Sequence, residues 1–344
     1  MSFTAGEIAK ASKAAIDFYL KNDPIDQIAV ERPLLSFLQG NKTTFPGGVQ
    51  YVVEQLRKSY DGNLQSYRGD AQVTYNTRDP LAQAKFLWTN YHDGFGMTED
   101  EMRQNGITLN DDSEGNASKA EIVQLNSMLK EYYYALKQGC QEGFDLRLHQ
   151  DGTAGADEIV GLDALIAIDP TNDNVGGIAS SANTWWRNYT KTGVASADLD
   201  EECEIAWRAC TKNGGMPGKI FAGSAWIDAY RKNAKGSIDR HIVVTGQTQQ
   251  MDVGVNALNF KGVEIVWDPT FEALDALESP AVPWTKRAYF INPRHIRLRP
   301  ASGAEWVNRS PARPYDKYVH FRAMTWTGTL TCNRRNAHAV VAIS

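Results

Sequence analysis

ASKAEIVQLNSMLKEYYYALKQGCQEGFDLRL, residues 117–148, is the stretch with the clearest single reading. Ile122, Leu125, Leu129, Tyr132, Leu136, Cys140 and Phe144 follow one another at steps of three and four, the spacing of one face of an α-helix. Ser118, followed three residues on by Glu121, fits a capping box at the start, and Asp151-Gly152 closes the element. At about 1.5 Å rise per residue such a helix is about 45 Å long. Gly139 and Gly143 inside it each cost about 1 kcal/mol in helix propensity, which points to a close backbone approach or a bend near its end.

Toward the N-terminus the periodicity changes. Residues 1–30 read as an amphipathic arm, with Ile8, Ala15, Ile16, Tyr19 and Leu20 at helical spacing and Asn22-Asp23-Pro24 stopping the pattern. So short a helix cannot bury its stripe alone, and it docks either on its own body or on a neighbour. A second short helical stretch runs through Pro33-Leu34-Leu35-Ser36-Phe37-Leu38. From Phe45-Pro46-Gly47-Gly48 the chain turns to β. Val49 to Lys58 places Val49, Tyr51 and Val53 on one face; Ser59 to Ala71 is polar; Gln72 to Asn76 and Gln83 to His92 are rich in β-branched and aromatic residues. This reads as a long two-stranded arm with a polar tip, whose five acids (Glu54, Asp61, Asp70, Asp79, Asp93) cancel its five bases (Arg57, Lys58, Arg68, Arg78, Lys85). A lone two-stranded ribbon is marginal in water. Tyr51, Tyr67, Tyr75, Phe86, Trp88 and Tyr91 therefore need a surface, on the arm's own domain or on an adjacent subunit.

Beyond the long helix, residues 156–314 alternate between helix and strand. Ile159 to Ile168 reads as apolar and extended. Asp198 to Asn213 reads as a helix burying Leu199, Cys203, Ala206, Trp207 and Cys210, stopped by Gly214-Gly215. Lys219 to Ala222 is a short strand, Ser224 opens a helix with Trp226, Ile227 and Tyr230, and strands follow at His241–Val244, Gly262–Trp267, Arg287–Ile291 and Ile296–Arg299. Tyr318–Thr331 is a long strand, Asn333–Asn336 a turn, and Ala337–Ile343 a strand expected to pair back on it. The whole is α+β with a mixed or antiparallel sheet.

Composition narrows the function classes. The 344 residues suit two or three packed units. No run approaches the length of a membrane span, and the N-terminus has no apolar signal core. The net charge of −5 argues against a basic nucleic-acid binder. That charge is divided unevenly: residues 285–344 hold eleven Lys/Arg against Glu305 and Asp316, a balance of +9 that leaves −14 for the rest. Either the charge is matched inside one molecule or copies meet acidic side to basic side. Cys140, Cys203, Cys210 and Cys332 form no framework; Cys203 and Cys210 lie roughly 10 Å apart on a helix, too far for a disulfide.

Enzyme signatures fade on inspection. The pairs Gly176-Gly177 and Gly214-Gly215 make neither G-x-G-x-x-G nor a Walker motif, the six histidines form no H-x-x-x-H pair, and no G-x-S-x-G elbow occurs. Abundant carboxylates and aromatics leave a carbohydrate-active enzyme or lectin-like domain as the alternative, which requires two convergent acids in a pocket. No catalytic, cofactor-binding or metal-ligating residue is assigned.

The order of parts, together with several phrases, resembles the major capsid proteins of tailed bacteriophages with the Hong Kong 97-type fold. The phrases are Thr43-Thr44-Phe45-Pro46-Gly47-Gly48 with Tyr51-Val52-Val53-Glu54; Gly161-Leu162-Asp163-Ala164-Leu165 with Val175-Gly176-Gly177-Ile178; Gly262 to Pro269 with Ala288 to Asn292 and His295 to Arg299; and Trp326 to Cys332. The resemblance implies an N-terminal arm at 1–44, an extended loop at 45–96 reaching over an adjacent subunit, a peripheral domain at 97–155 and 315–344 holding the long spine helix, and an axial domain at 156–314. It implies self-assembly into pentamers and hexamers of an icosahedral shell around double-stranded DNA, built in the bacterial cytoplasm and ending in the virion. Expected partners are other copies of the chain, a separate scaffolding protein, a portal protein, a cement or decoration protein, and packaged DNA bound without sequence preference; no cofactor is expected. Tyr60, Asp61, Tyr67, Arg68 and Asp70 at the loop tip, and Arg294, Arg297 and Arg299 on a cationic strand face, are the candidate inter-subunit contacts.

Overall fold

The computed structural model describes residues 30–104, 119–155, 157–212, 214–237, 258–312 and 318–344. The expected N-terminal amphipathic helix, the Ser118 cap and the strand at His241–Val244 lie outside those residues. In chain order the helices are α1 (Pro33–Gly40), α2 (Glu99–Gln104), α3 (Lys119–His149), α4 (Leu162–Leu165), α5 (Leu199–Lys212), α6 (Ser224–Ser237) and α7 (Thr270–Glu278). The strands are β1 (Tyr51–Arg57), β2 (Leu81–Leu87), β3 (Thr89–Thr98), β4 (Asn174–Val175), β5 (Ile178–Ala179), β6 (Tyr189–Val194) and β7 (Lys219–Ala222). They continue with β8 (Leu258–Phe260), β9 (Val263–Trp267), β10 (Arg287–Ile291), β11 (Ile296–Pro300), β12 (Val307–Arg309), β13 (Val319–Cys332) and β14 (Ala339–Ile343).

The chain folds as two compact units. The larger comprises 31–89, 145–302 and 328–344; the smaller includes 90–144 and 303–327. The division falls inside α3, between Phe144 and Asp145, and inside β13, between Thr327 and Gly328. These units cut across the four segments read from the sequence, since 328–344 goes with 145–302 and the hairpin's 45–89 goes with them too.

The larger unit is built on a six-stranded sheet in the order β6-β14-β10-β7-β9-β8. Arg287–Ile291 and Ala339–Ile343 are buried at every position, as central strands covered on both faces must be. Helix α5 lays Leu199, Cys203, Ala206 and Cys210 on this sheet, the face its sequence spacing specified, and α6 adds Trp226 and Ile227. The last strand departs from expectation. It does not pair back on β13; it enters the six-stranded sheet, antiparallel to β10 and parallel to β6. AVVAI is apolar on both faces, so it needs cover on both, which the sheet interior supplies.

The turn that reroutes it is a 3-10 turn, Arg335–Ala337, around a fully buried arginine. Arg335 donates Nε to Leu165 O (2.8 Å), Nη1 to Ser180 Oγ and Trp186 O (both 3.1 Å), and Nη2 to Ala164 O (3.1 Å), and it pairs with Asp173. Five N–H groups on a planar fork suit such a ring of acceptors. The segment 159–168, read as extended, contains one helical turn instead (α4), entered through Gly161. A Cβ at Gly161 would sit 2.1 Å from Gln150 O and 2.8 Å from both Arg147 O and Leu148 O, so only glycine lets this segment lie on the end of α3.

In the smaller unit, β3 and β12 both pair with β13. The residues read as one hairpin strand, Gln83 to His92, are thus split: β2 ends at Leu87 and pairs with β1, while β3 starts at Thr89 and pairs elsewhere. Trp88 marks the break. On α3, Leu136 and Cys140 are buried with Met324, as the helical spacing required. The Phe144 ring lies 4.4 Å from that of Trp326, tilted, and meets Trp306 at 5.4 Å and Tyr91 at 5.8 Å edge to face. Tyr132, expected on the buried face, is partly exposed and lies 5.5 Å from Phe95.

Removing the buried guanidinium should therefore be costly. Arg335→Ala leaves Asp173 and several buried carbonyls unpaired and should lower unfolding stability by about 3–5 kcal/mol. Urea unfolding monitored by tryptophan fluorescence measures this, and a loss below about 1 kcal/mol would contradict the assigned role.

Candidate assembly surfaces

The hairpin is built from a paired base and an unpaired tip. Tyr51↔Leu87 through Arg57↔Leu81 form an unbroken antiparallel register. Residues 58–80 then run without strand pairing, and the stretch Gln72–Asn76, expected as a strand, is not one. Polar side chains hold its two limbs. Asn63 Nδ2 donates to Thr74 O at 3.0 Å, Gln65 Nε2 donates to the same oxygen at 3.3 Å, and Thr74 N donates to Gln65 Oε1 at 3.1 Å. Lys58 pairs with Asp79, whose N–H donates to Asp61 Oδ2 at 3.2 Å. Hydrogen bonds from Ser59 and from the Asp79 N–H hold the Asp61 carboxyl below its usual value.

The tip presents apolar groups to solvent. Tyr60, Tyr67 and Tyr75 are 79%, 70% and 95% exposed, and Leu64 is fully exposed. Arg68 and Asp70 are exposed beside them. This is aromatic and apolar surface that the rest of the chain does not cover.

The base is clamped. Val52, Leu56, Ala84 and Phe86 are buried on one face. Glu54 accepts from Arg299 Nη2 at 2.7 Å and from Thr331 Oγ1 at 3.1 Å, through the same Oε1. Gly176, at φ 66°, lies where a Cβ would come within 2.9 Å of the Ala84 Cβ, and its carbonyl accepts from Lys85 N at 2.9 Å. Arg299 is therefore engaged inside its own chain, 245 residues from Glu54, and is set apart from Arg294 and Arg297. Those two are exposed, as expected. Sequence reasoning missed their neighbours. The backbone of Asn333 donates to His295 O at 3.1 Å, which brings exposed Arg334 to the same place. The only signal for Arg334 was its charge in a stretch that otherwise read as a turn.

Among the described residues one group could hold a metal ion by distance: Asp145, His149 and Asp268, all buried. His149 Nδ1 lies 2.7 Å from Asp145 O, and Nε2 lies 3.0 Å from Asp268 Oδ2. Both partners are acceptors, so both ring nitrogens carry protons and no lone pair faces a metal. Burial alone would lower the imidazole pKa; the charges of Asp268 and Asp145 outweigh it and raise it to about 9. Burial raises Asp145 as well. Thr270 Oγ1 donates to Asp145 Oδ2 at 2.7 Å. This is an internal ion-pair pin between the end of α3 and the β9–α7 junction. Its two acids are sealed from substrate, so they are not the pocketed pair that a carbohydrate-active enzyme needs. The four cysteines are free and buried, and burial pushes their thiols up, Cys140 to about 11, which leaves them poor nucleophiles. No helix among the described residues is long and apolar enough to cross a membrane.

No protein-family model matches the chain, and no curated protein sequence does either. Solved structures do match, over nearly the full length. The capsid asymmetric unit of cyanophage A-1(L) is similar with a TM-score of 0.61 at 15% identity, covering 94% of this chain and 96% of that one. The chain has a phage capsid fold of the Hong Kong 97 type. The capsid of Myoviridae phage XM1 (TM-score 0.54, 11% identity, 95% of this chain and 98% of that one) matches as well. So does the capsid of a native GTA particle (0.53, 12%, 95% and 96%). At these identities the capsid fold is shared through its architecture, not through side chains.

The pin in this capsid fold predicts a pH signature. The folded pKa of His149 lies above the unfolded value of about 6.5, so its stabilisation is full below about 6.5 and is lost as pH rises through about 9. The gap in urea midpoint between the native protein and His149→Gln should be wide at about pH 6 and narrow at about pH 9.5. An equal gap at both values would contradict a charged imidazole.

Proposed function

We propose that this chain is a major capsid protein that self-assembles into pentamers and hexamers of an icosahedral head around double-stranded phage DNA. The observation that carries the reading is the full-length likeness to phage capsid subunits. The hairpin adds a second support: a polar-bonded tip with exposed Tyr60, Leu64, Tyr67 and Tyr75 on a clamped base suits an arm that lies across a neighbouring subunit.

In this reading residues 1–44 are an N-terminal arm and 45–96 the extended loop. Residues 97–155 and 315–344 form the peripheral domain around the spine helix α3. Residues 156–314 form the axial domain, whose six-stranded sheet β14 joins. Tyr60, Asp61, Tyr67, Arg68 and Asp70 contact an adjacent copy. Packaged DNA, a separate scaffolding protein, a portal protein and a cement or decoration protein are the further partners, and the virion is the site of action.

Deleting Tyr60 to Asp70 should leave a folded chain, because none of these residues is buried and the β1–β2 register lies outside the deletion. Circular dichroism and the unfolding midpoint should be close to native, while electron microscopy should show no closed shells. Shells of normal size from the deletion would refute the arm's role.

A further inference from the structure

Resting on the capsid reading, we infer that Arg294 and Arg297, with Arg334, form a docking site for the acidic first turn of α5 in a second copy of this chain. Strand β11 alternates buried Ile296 and Leu298 with Arg297 and Arg299 on its other face. Arg299 is taken by Glu54. Among the described residues neither Arg294 nor Arg297 has a carboxylate within ion-pair distance. Register pairs Arg297 with Thr331, and Asn333 bonds to His295, so Arg294, Arg297 and Arg334 gather at one end of the β11–β13 pair. His295 sits among them, half-buried and bonded through Nδ1 to Asn333 Oδ1 at 2.7 Å. Burial, then the charges of Arg334, Arg294 and Arg297, hold its pKa below the usual value. The cluster is thus a concentration of positive charge facing solvent.

The complementary charge lies elsewhere on the same chain. Asp200, Glu201 and Glu202 open α5, with Asp198 just before it. Glu202 pairs with Lys191, and Glu204 with Lys261. Asp198, Asp200 and Glu201 are exposed and have no ion pair among the described residues. The hairpin is a poorer candidate, because Asp79 is paired with Lys58 and Asp61 is hydrogen-bonded within the loop. Duplex DNA is a poorer partner too: three arginines at a strand end lack the dense run of a phosphate-binding arm. An acidic patch and a basic patch at different places on one chain make a head-to-tail contact, which closes rings when the rotation fits. Opposite fields accelerate such an encounter and set its register, in a salt-dependent way.

The experiment uses the full chain under conditions in which the native protein closes shells, with assembly followed by light scattering and sedimentation. R294E/R297E should slow assembly by about tenfold or more at low salt and remove most of its salt dependence, with an unchanged unfolding midpoint. The neutral pair R294Q/R297Q should show a smaller loss in the same direction. Adding D200K/E201K to R294E/R297E should restore the native rate. A native rate from R294E/R297E, or no restoration by D200K/E201K, overturns the inference while the capsid reading stands; lost duplex-DNA binding in the unrestored protein would reassign the arginines to phosphate. Failure of the native chain to form shells overturns both.

Discussion

A guanidinium buried in protein has no water to fall back on, so each of its N–H groups must find an acceptor or the charge destabilises the fold. Arg335 meets that demand with carbonyls of Ala164, Leu165 and Trp186, the hydroxyl of Ser180 and the carboxylate of Asp173. Those acceptors span residues 164–186, so one side chain ties that stretch to the turn after β13. The turn then delivers β14 between β6 and β10. Without it, AVVAI would have no interior position, and the six-stranded sheet would lack the strand that joins β6 to β10. A second constraint of the same kind pins the end of α3, where His149 sits between Asp145 and Asp268.

What could be read in the sequence was local. The buried face of α5, the short strand Lys219–Ala222 and the strand Arg287–Ile291, apolar after its first residue, follow from spacing and hydropathy within a few residues, and each is found as read. The long helix is also legible, because a stripe at steps of three and four admits few alternatives over thirty residues. What could not be read depends on partners far along the chain. Nothing near Arg299 signals that Glu54 takes its charge, and nothing near Ala337 says that the last strand bypasses β13. The break at Trp88 was hidden for a related reason: Gln83 to His92 reads as one β stretch, and only the choice of partner, β1 or β13, divides it.

The candidate site was legible in composition and less so in detail. The aromatic, charge-neutral character of the hairpin pointed to a surface that needs cover, and its tip is indeed exposed. The cationic face of β11 was legible as a face, but the structure separates its members. Arg299 belongs to the clamp that fixes the hairpin base, whereas Arg294 and Arg297 remain turned to solvent beside Arg334. The physical division is between charge paired at the base of the hairpin and charge left facing solvent. The ionisable groups gathered in the interior, Arg335 with Asp173 and His149 with Asp145 and Asp268, hold elements together.

Surface left uncovered in the single chain, above all the hairpin tip, is expected to be covered by other copies. Electron microscopy of the full chain, expressed alone and with its natural scaffold, tests this most directly. The expected result is closed shells of pentamers and hexamers in which residues 58–80 of each subunit lie on a neighbour. A small, monodisperse oligomer in both cases, with the hairpin still open to solvent, would contradict it.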